Sequence, residues 1–192
     1  MGGRDKALID LDGRPMAAHV LARAGQGCRA TILNANGDAE RFSGLGLPVV
    51  EDDLPGAVGP LAGVLTGMAW AAVHAPECTH ILTLPTDAPF LPKDLLERLS
   101  EAIGDGADIA RASSGGRAHH VIALWPVALR GALWRAVATE GVRKVQAWTA
   151  EYRVGEVDWP LGATDPFFNV NSPEDLSEAQ RVLNAGDGRS SV

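Results

Sequence analysis

Strand-like and helix-like apolar patterns alternate along most of this chain, and no other feature constrains its fold as strongly. Short runs of β-branched and aliphatic residues are typical of strands, whereas apolar residues spaced three and four apart are typical of helices. Their alternation predicts an α/β fold of three layers with a mostly parallel sheet. The strands are predicted over 30–36, 47–53, 80–87 and 119–125, and the helices over 15–25, 61–75, 92–103 and 173–183.

Residues 107–125 follow a different pattern, because two strand-like runs flank the turn-forming sequence SSGG at 113–116. Small residues with two glycines between strands are typical of a hairpin. We therefore expect an antiparallel strand within the sheet. We also expect residues 1–185 to form a single domain and residues 186–192, which are small and polar, to form a flexible tail.

Charge and composition exclude several classes of partner. The chain has a net charge of -7 at pH 7, so it lacks the positive field that attracts nucleic acids or anionic membranes. No apolar run reaches the roughly 18 residues of a membrane-spanning helix. Cys28 and Cys78 have no partners at metal-ligand spacing, and two free thiols are typical of a cytoplasmic protein. We expect a cytoplasmic protein that binds neither nucleic acid nor membrane.

The polar residues of interest follow the predicted strands. Ligands of open α/β sheets bind at the carboxyl ends of the strands, where loops leave for the helices. This rule selects NAN at 34–36, EDD at 51–53, PTDAPF at 85–90 and, later in the chain, FFNVNSPEDL at 167–176. Most candidate functional residues lie in these stretches.

Asp87 follows an apolar strand on a loop that is stiffened by Pro85, Pro89 and Pro92. Carboxylate oxygens on a rigid loop are good ligands for Mg²⁺. Aspartates also often cap a turn or the start of the next helix. Asp87 is therefore either a metal ligand or a cap.

Asn169 and Asn171 alternate about Val170, which places both side chains on one face if the segment is extended. Their amide oxygens could complete a site for a hard cation. The alternative is local, because Asn171 or Ser172 could cap the helix that begins at Pro173.

Residues 52–63 form a loop rich in glycine and proline. Glycines such as Gly59 and Gly63 allow a flat base or a phosphate to approach the backbone. The Asp52 carboxylate can accept two parallel hydrogen bonds from N1–H and the 2-amino group of guanine. The alternative is an ordinary surface loop whose glycines serve only turn geometry.

The opening residues combine Gly2 and Gly3 with Lys6. Such residues suit a phosphate-binding loop, because glycines expose backbone N–H groups and a lysine supplies positive charge. A solvated surface lysine is the alternative. His119 and His120 point to opposite faces of their strand, so we interpret them as packed or hydrogen-bonded side chains that do not share a metal.

Six motifs, in this order and at these separations, resemble those of the molybdenum cofactor guanylyltransferases. The patterns xGxDK and PxDxPF recur across related nucleotidyltransferases, whereas GPLAG together with FxNVNSPEDL is much more specific. The resemblance covers about residues 1–185. The motifs are MGGRDKALIDLDGRPM (1–16), ILNAN (32–36), VVEDD (49–53), GPLAG (59–63), LPTDAPFLP (84–92) and FFNVNSPEDL (167–176).

The resemblance implies a Rossmann-like nucleotidyltransferase fold. It implies transfer of GMP from Mg²⁺-GTP to the terminal phosphate of the molybdenum cofactor (molybdopterin), with release of pyrophosphate. GTP and this cofactor are the expected partners, and molybdoenzyme chaperones are further candidates. The implied catalytic residues are Lys6 and Asp87; the nucleotide-binding residues are Gly2, Gly3, Lys6, Asn34, Asp52, Gly59, Gly63 and Asp87; the metal ligands are Asp87, Asn169 and Asn171.

The start of the sequence departs from the family pattern. Family members begin with an apolar strand and a glycine-rich turn ahead of their counterpart of Lys6, so we expect the first strand of the family's sheet to be absent from this sequence. Two alternatives to guanylyl transfer follow. One is a related nucleotidyltransferase that uses CTP or another phosphorylated acceptor, and the other is a truncated, non-catalytic nucleotide-binding protein.

Overall fold

The computed structural model describes residues 5–52, 54 and 59–187 and confirms an α/β architecture. Strands alternate with helices as the apolar pattern predicts, although several strands are shorter than predicted. The strands are β1 (Asp10–Leu11), β2 (Arg14–Pro15), β3 (Leu33–Asn34), β4 (Val49–Val50), β5 (His80–Thr83), β6 (Ile109–Ser114), β7 (Arg117–Pro126) and β8 (Val154–Trp159). The helices are α1 (Met16–Ala24), α2 (Pro60–His74), α3 (Leu95–Gly104), α4 (Arg130–Ala138), α5 (Val145–Thr149) and α6 (Pro173–Asp187).

The largest sheet has the strand order β5-β7-β6-β8. β7 runs antiparallel to both of its neighbours, whereas β6 and β8 are parallel. The predicted hairpin is confirmed, because β6 and β7 are joined by Gly115 and Gly116, whose φ angles of 55° and 77° favour glycine. This sheet is therefore mixed rather than mostly parallel, since the antiparallel β7 lies between β5 and β6.

β3 and β4 form a separate parallel pair. Within the described residues, β3 and β5 do not pair with each other, and a cavity of about 850 Å³ lies between them. α2 packs closely against both strands at two glycines. A Cβ added to Gly63 would lie 2.6 Å from Asn34 Oδ1, and one added to Gly67 would lie 3.0 Å from Ile81 Cδ1.

β3 and β5 run in the same direction along α2. Arg29 precedes β3 and pairs with Glu77, which follows α2, at an Nε–Oε1 distance of 3.0 Å. Asn34 ends β3 beside the first turn of α2, and β5 packs back along the same helix at Ile81. The carboxyl ends of β3 and β5 therefore lie on one edge with those of β6 and β8, where ligands bind in such folds.

Helices cover both faces of the four-stranded sheet, which gives the predicted three layers. On one face, α1 and α3 pack around Leu95, Leu99 and Ile122, all of which are at most 1% exposed. On the other face, α2, α4 and α5 pack around Trp125 and Leu133. Each such buried side chain stabilises the fold by about 1.5–3 kcal/mol.

The last helix, α6, extends further along the chain than predicted. α6 ends at Asp187, two residues into the expected tail, and residues 188–192 lie outside the described part of the chain. No helix among the described residues is both long and apolar enough to cross a membrane.

Candidate active site

Lys6, Asp87 and Asn171 meet at the carboxyl edge of the strands, and we call these three residues the cation cluster. The Lys6 ammonium donates hydrogen bonds to Asp87 Oδ2 at 3.2 Å and to Asn171 Oδ1 at 2.5 Å. The lysine side chain is 41% exposed, so the ion pair contributes about 1 kcal/mol or less. The structure thus joins three residues that the sequence selected separately. Gly2 and Gly3, predicted to lie with them, are outside the described residues.

Asp87 lies in the loop that follows β5, and its surroundings fix the backbone there. Its carbonyl oxygen accepts a hydrogen bond from Val170 N–H at 2.8 Å. The neighbouring side chains of Ala88 and Leu91 are fully buried. The next helix, α3, begins only at Leu95, so the structure does not support the alternative that Asp87 caps it.

Asn171 is held by the cap of α6. The Ser172 hydroxyl accepts a hydrogen bond from Asp175 N–H at 3.1 Å, and Asp175 Oδ2 accepts from the N–H groups of Asn171 and Ser172, each at 2.9 Å. This reciprocal arrangement is a capping box. The backbone hydrogen bond from Asn171, with smaller contributions from Ser172 and the charge of Lys6, holds the pKa of Asp175 below its usual value. Ser172 therefore caps the helix, and the Asn171 side chain is left to bind Lys6.

Asn169 precedes Asn171 in the same loop. Its carbonyl oxygen accepts a hydrogen bond from Asn171 Nδ2 at 3.5 Å. The hydrogen bonds found in the described part of the chain do not include its side chain. Its role as a metal ligand stays a prediction.

Asn34, Asn36, Asp52 and Thr66 form a second group at the ends of β3 and β4, which we call the amide cluster. Asp52 Oδ1 accepts hydrogen bonds from Asn34 Nδ2 at 3.0 Å and Thr66 Oγ1 at 3.3 Å. Asp52 Oδ2 accepts from Asn36 Nδ2 at 3.0 Å, and Asp52 N–H donates to Asn36 Oδ1 at 2.9 Å. A carboxylate offers about four acceptor positions, so Oδ2 keeps one for a ligand.

Two glycines at the start of α2 support the amide cluster. Because a Cβ at Gly63 would collide with Asn34 Oδ1, only glycine allows Asn34 its observed position. Gly59 precedes the helix with a φ angle of 104°. Both glycines line the cavity between β3 and β5, together with Asn34 and Asp52. Their contact with a nucleotide stays a prediction.

His119 and His120 point to opposite faces of β7, as the sequence predicts. His119 Nε2 lies 2.8 Å from Ser114 Oγ, and His120 Nδ1 lies 3.2 Å from Arg111 Nη1. Burial is the main cause that lowers the pKa of both imidazoles. Both histidines are therefore hydrogen-bonded side chains of the sheet.

The cation cluster contains two side-chain oxygens of the kind that hard cations bind. Asp87 Oδ2 and Asn171 Oδ1 both accept hydrogen bonds from the Lys6 ammonium. In the described ranges, no three His, Cys, Asp or Glu side chains are arranged to hold a metal. An ion at Asp87 would thus take its remaining ligands from amide oxygens, water or bound phosphate, as Mg²⁺ commonly does.

Sequence reasoning selected the stretches that contain Asn36 and Asp175 but gave neither residue a role, and it missed Thr66. Asn34 and Asn36 alternate about one residue, so the rule that places alternate side chains on one face of a strand could have found Asn36. The spacing S-x-x-D at the start of α6 could have indicated Asp175 as part of a capping box. Thr66 lies on a helix, and only the three-dimensional packing of α2 brings it to Asp52.

Comparison with known proteins shows the family that this chain matches. The profile of the MobA-like NTP transferase domain matches residues 1–154. A molybdenum cofactor guanylyltransferase of Bradyrhizobium sp. (strain ORS 278) is 49% identical over 183 residues, which cover 95% of this chain and 86% of that protein.

Solved structures show the same fold. Molybdopterin-guanine dinucleotide biosynthesis protein A of Archaeoglobus fulgidus matches with a TM-score of 0.73 at 23% identity, over 95% of this chain and 92% of that one. A manganese complex of a Mycobacterium tuberculosis H37Rv protein matches with a TM-score of 0.67 at 19% identity, over 93% of each chain. At these identities the two structures support the fold alone.

Proposed function

Because this chain belongs to the family of MobA-like NTP transferase domains, we propose that it transfers GMP from GTP to the terminal phosphate of the molybdenum cofactor and releases pyrophosphate. The Bradyrhizobium relative is named as a guanylyltransferase for this cofactor. The structural observation that carries the proposal is the placement of two clusters on one strand edge. The cation cluster suits a metal-bound triphosphate, and the amide cluster suits a base.

The proposed reaction needs little proton transfer. The acceptor is a phosphate monoester, whose second pKa is about 6, so most of it is dianionic near neutral pH. One of its oxygens attacks the α-phosphorus of GTP, the bond from this phosphorus to the bridging oxygen of the β-phosphate breaks, and pyrophosphate leaves. Catalysis then depends on alignment of the two phosphates and neutralisation of their charge.

Lys6 supplies positive charge for this step. Its ammonium is bound to Asp87 and Asn171 in the structure, but its side chain is 41% exposed. An exposed ion pair is weak, so the ammonium can turn toward a bound triphosphate at small cost. Lys6 then offsets the charge of the departing pyrophosphate, and the oxygens of Asp87 and Asn171 become available to a metal ion.

The metal in the proposal is Mg²⁺, which Asp87 and Asn171 would hold, with Asn169 as a further ligand. When bound, it would neutralise phosphate oxygens of GTP. Support comes from the oxygen donors around the Lys6 ammonium. A Mycobacterium tuberculosis protein of the same fold was solved as a manganese complex.

Asp52 selects guanine in this proposal. Its Oδ2 can accept a hydrogen bond from the guanine edge, and pairing of both carboxylate oxygens with N1–H and the 2-amino group would replace a hydrogen bond at Oδ1. Cytosine and adenine cannot donate that pair of hydrogen bonds. Asn34 lies beside Asp52 and would contact the nucleoside, while Gly59 and Gly63 let a flat base approach the backbone.

The proposal also includes a location and further partners. Free Cys28 and Cys78 are typical of the cytoplasm, and we place the protein there. Mg²⁺-GTP and the molybdenum cofactor are its substrates. Delivery of the product to molybdoenzyme chaperones rests on the family resemblance alone.

A nucleotide comparison tests the proposed function. The purified chain is incubated with the molybdenum cofactor, Mg²⁺ and GTP, CTP or ATP, and pyrophosphate release is measured. GTP should support release at least about tenfold faster than either other nucleotide, because a polar base edge that lacks its partners is strongly rejected. Release with CTP alone would establish a cytidylyltransferase instead. GTP binding without any release would favour the non-catalytic alternative.

A further inference from the structure

A series of buried and partly buried hydrogen bonds joins β6, β7 and the loop that precedes α6. His119 Nε2 lies 2.8 Å from Ser114 Oγ, and the Ser114 hydroxyl donates to Asp165 Oδ1 at 2.8 Å. Asp165 Oδ1 also accepts a hydrogen bond from Phe167 N–H at 2.9 Å. Ser114 and His119 are only 2% and 8% exposed. These residues belong to neither the cation cluster nor the amide cluster.

We propose that Ser114 and Asp165 are positioning residues that fix the loop 165–171 and thereby hold the cation cluster together. The inference rests on the proposed function, because it assigns this loop to the metal and triphosphate end of the proposed site. Buried polar side chains require hydrogen-bond partners. In this network the partner of the buried serine is the first residue of the loop that carries a member of the cluster.

The loop is held at two points. At its start, Asp165 is bound to Ser114. Near its end, Val170 N–H donates to the carbonyl oxygen of Asp87 at 2.8 Å, and the Val170 side chain is fully buried. Asn171 follows Val170 directly and also donates its N–H to Asp175 of the capping box. In the proposal, the attachment at Asp165 acts together with these two contacts to set the distance between Asn171 and Asp87.

Aromatic packing supports the first attachment. The Phe167 ring lies 4.6 Å from the His119 ring and 5.4 Å, edge-on, from the Trp159 ring, measured between centroids. Phe167 is 2% exposed. The apolar contacts bury this part of the loop, and the hydrogen bonds to Asp165 orient it, because apolar packing alone has no direction.

The hydrogens of the network have one consistent arrangement. The Ser114 hydroxyl has a single hydrogen, which it donates to Asp165, so its oxygen accepts a hydrogen bond from His119 Nε2–H. Burial is the main cause that lowers the pKa of His119, and the neutral imidazole can donate this hydrogen bond when its hydrogen is on Nε2. Asp165 is the charged acceptor at the end of the series, and hydrogen bonds to a charged group are the stronger ones.

Ser113 offers a matched control. It is the preceding residue of β6, it is also 2% exposed, and its hydroxyl donates to Asp158 Oδ1 at 3.1 Å. Asp158 lies in β8, so this hydrogen bond joins two strands and does not reach the loop 165–171. Loss of either hydroxyl removes a partly buried hydrogen bond to a carboxylate, and loss of the Ser114 hydroxyl also removes the hydrogen bond with His119. Only loss of the Ser114 hydroxyl should affect the loop.

The test compares Ser114→Ala and Ser113→Ala with the unmodified chain. Ser114→Ala should raise the hydrogen exchange rate of the Phe167 and Val170 amides about tenfold and weaken Mn²⁺ binding, measured by electron paramagnetic resonance, by a similar factor, as expected for one hydrogen bond to a charged group. Ser113→Ala should change neither quantity. Equal effects of the two variants, or no effect of Ser114→Ala, would overturn the proposal.

Two variants of Asp165 keep the test decisive if Ser114→Ala fails to fold. Asp165→Asn retains a neutral acceptor oxygen at the position of Oδ1, so it should keep most of the slow exchange of the loop and of the Mn²⁺ affinity, whereas Asp165→Ala should lose both. If Asp165→Asn shows the same hydrogen exchange and Mn²⁺ binding as Asp165→Ala, the hydrogen bonds to Oδ1 do not hold the loop and the proposal is wrong. These measurements use neither GTP nor the molybdenum cofactor. If the variants give the expected results but the unmodified chain transfers no GMP, the proposed function is wrong and the role of Ser114 and Asp165 in holding the loop 165–171 stands.

Discussion

The cation cluster and the amide cluster lie on the same strand edge but are built in opposite ways. The cation cluster joins Lys6, Asp87 and Asn171, and one partly exposed lysine binds the two others across as many as 165 positions of sequence. In the amide cluster, Asp52 accepts hydrogen bonds from neutral donors that lie within 18 residues of it. The cation cluster is held by one partly exposed ammonium group, whereas the amide cluster is a network of hydrogen bonds around the Asp52 carboxylate.

This difference matches the two parts of a nucleotide. In the proposed function, a triphosphate arrives with a metal ion, so the cation cluster would release the Lys6 ammonium and accept that ion. A base brings no charge and is recognised by the direction of its hydrogen bonds, so its end of the site benefits from a preorganised acceptor. We therefore expect substitutions in the two clusters to affect different properties of the protein.

The largest effect is expected from Asp87→Asn. The variant keeps the shape of the side chain but removes the negative charge that would hold a metal ion, so Mg²⁺-dependent transfer should fall by more than about 100-fold. Steady-state pyrophosphate release is the measurement. Asp108→Asn is a matched control, because Asp108 pairs with Arg153 at the opposite end of β6. Full activity of Asp87→Asn would exclude Asp87 as a metal ligand.

Lys6→Met is expected to have two smaller effects, namely slower transfer and tighter binding of Mn²⁺. Loss of the positive charge should slow transfer about tenfold or more, since Lys6 offsets phosphate charge. The same variant should bind Mn²⁺ without nucleotide up to about fivefold more tightly, because an exposed ion pair that competes for Asp87 is removed. Lys93→Met, which removes an exposed lysine elsewhere, controls for net charge. Weaker Mn²⁺ binding in Lys6→Met would show that the ammonium does not compete with a metal.

Ser172→Ala should affect stability more than chemistry. The variant loses the hydroxyl that accepts a hydrogen bond from Asp175 N–H at the start of α6. Loss of such a cap costs about 1 kcal/mol, which urea denaturation can measure. A free energy of unfolding equal to that of the unmodified chain would argue against the capping box.

The smallest effect is the pH dependence that comes from Asp175. Its pKa is lower in the folded chain than in the unfolded one, so its ionised form stabilises the fold above the unfolded pKa. This contribution is lost as the pH falls through the folded pKa. Urea denaturation in the acid range should therefore show a smaller loss of stability for Asp175→Asn than for the unmodified chain. Equal losses would contradict the assignment.

Short-range sequence patterns predicted the elements whose structure depends mainly on neighbouring residues. The hairpin of β6 and β7 follows from its glycine turn, and α2 follows from its apolar spacing. α4 was not predicted, because Leu133 is buried whereas the adjacent Trp134 is 51% exposed, so its apolar residues do not mark one face. β8 contains a glycine and two acidic residues, and only its pairing with β6 makes it a strand.

The candidate site was predictable where it depends on strand ends. The rule that ligands bind at the carboxyl edge selects Asn34, Asp52 and Asp87 without a structure. The contact between Lys6 and Asn171 could not be predicted in this way, because it depends on how the first and last parts of the chain fold together. The link from Ser114 to Asp165 likewise requires the position of a loop on the sheet.

The most direct test of the division between the two clusters compares GTP with ITP, which lacks the 2-amino group, as substrates for the unmodified chain, Asp52→Asn and Asp87→Asn. We predict that Asp52→Asn lowers the ratio of kcat/KM for GTP to that for ITP by about tenfold and leaves the dependence on Mg²⁺ concentration unchanged. Asp87→Asn should raise the Mg²⁺ concentration needed for half-maximal activity and preserve the ratio of kcat/KM for GTP to that for ITP. An unchanged ratio in Asp52→Asn, or a changed ratio in Asp87→Asn, would contradict the assignment of base recognition and metal binding to separate clusters.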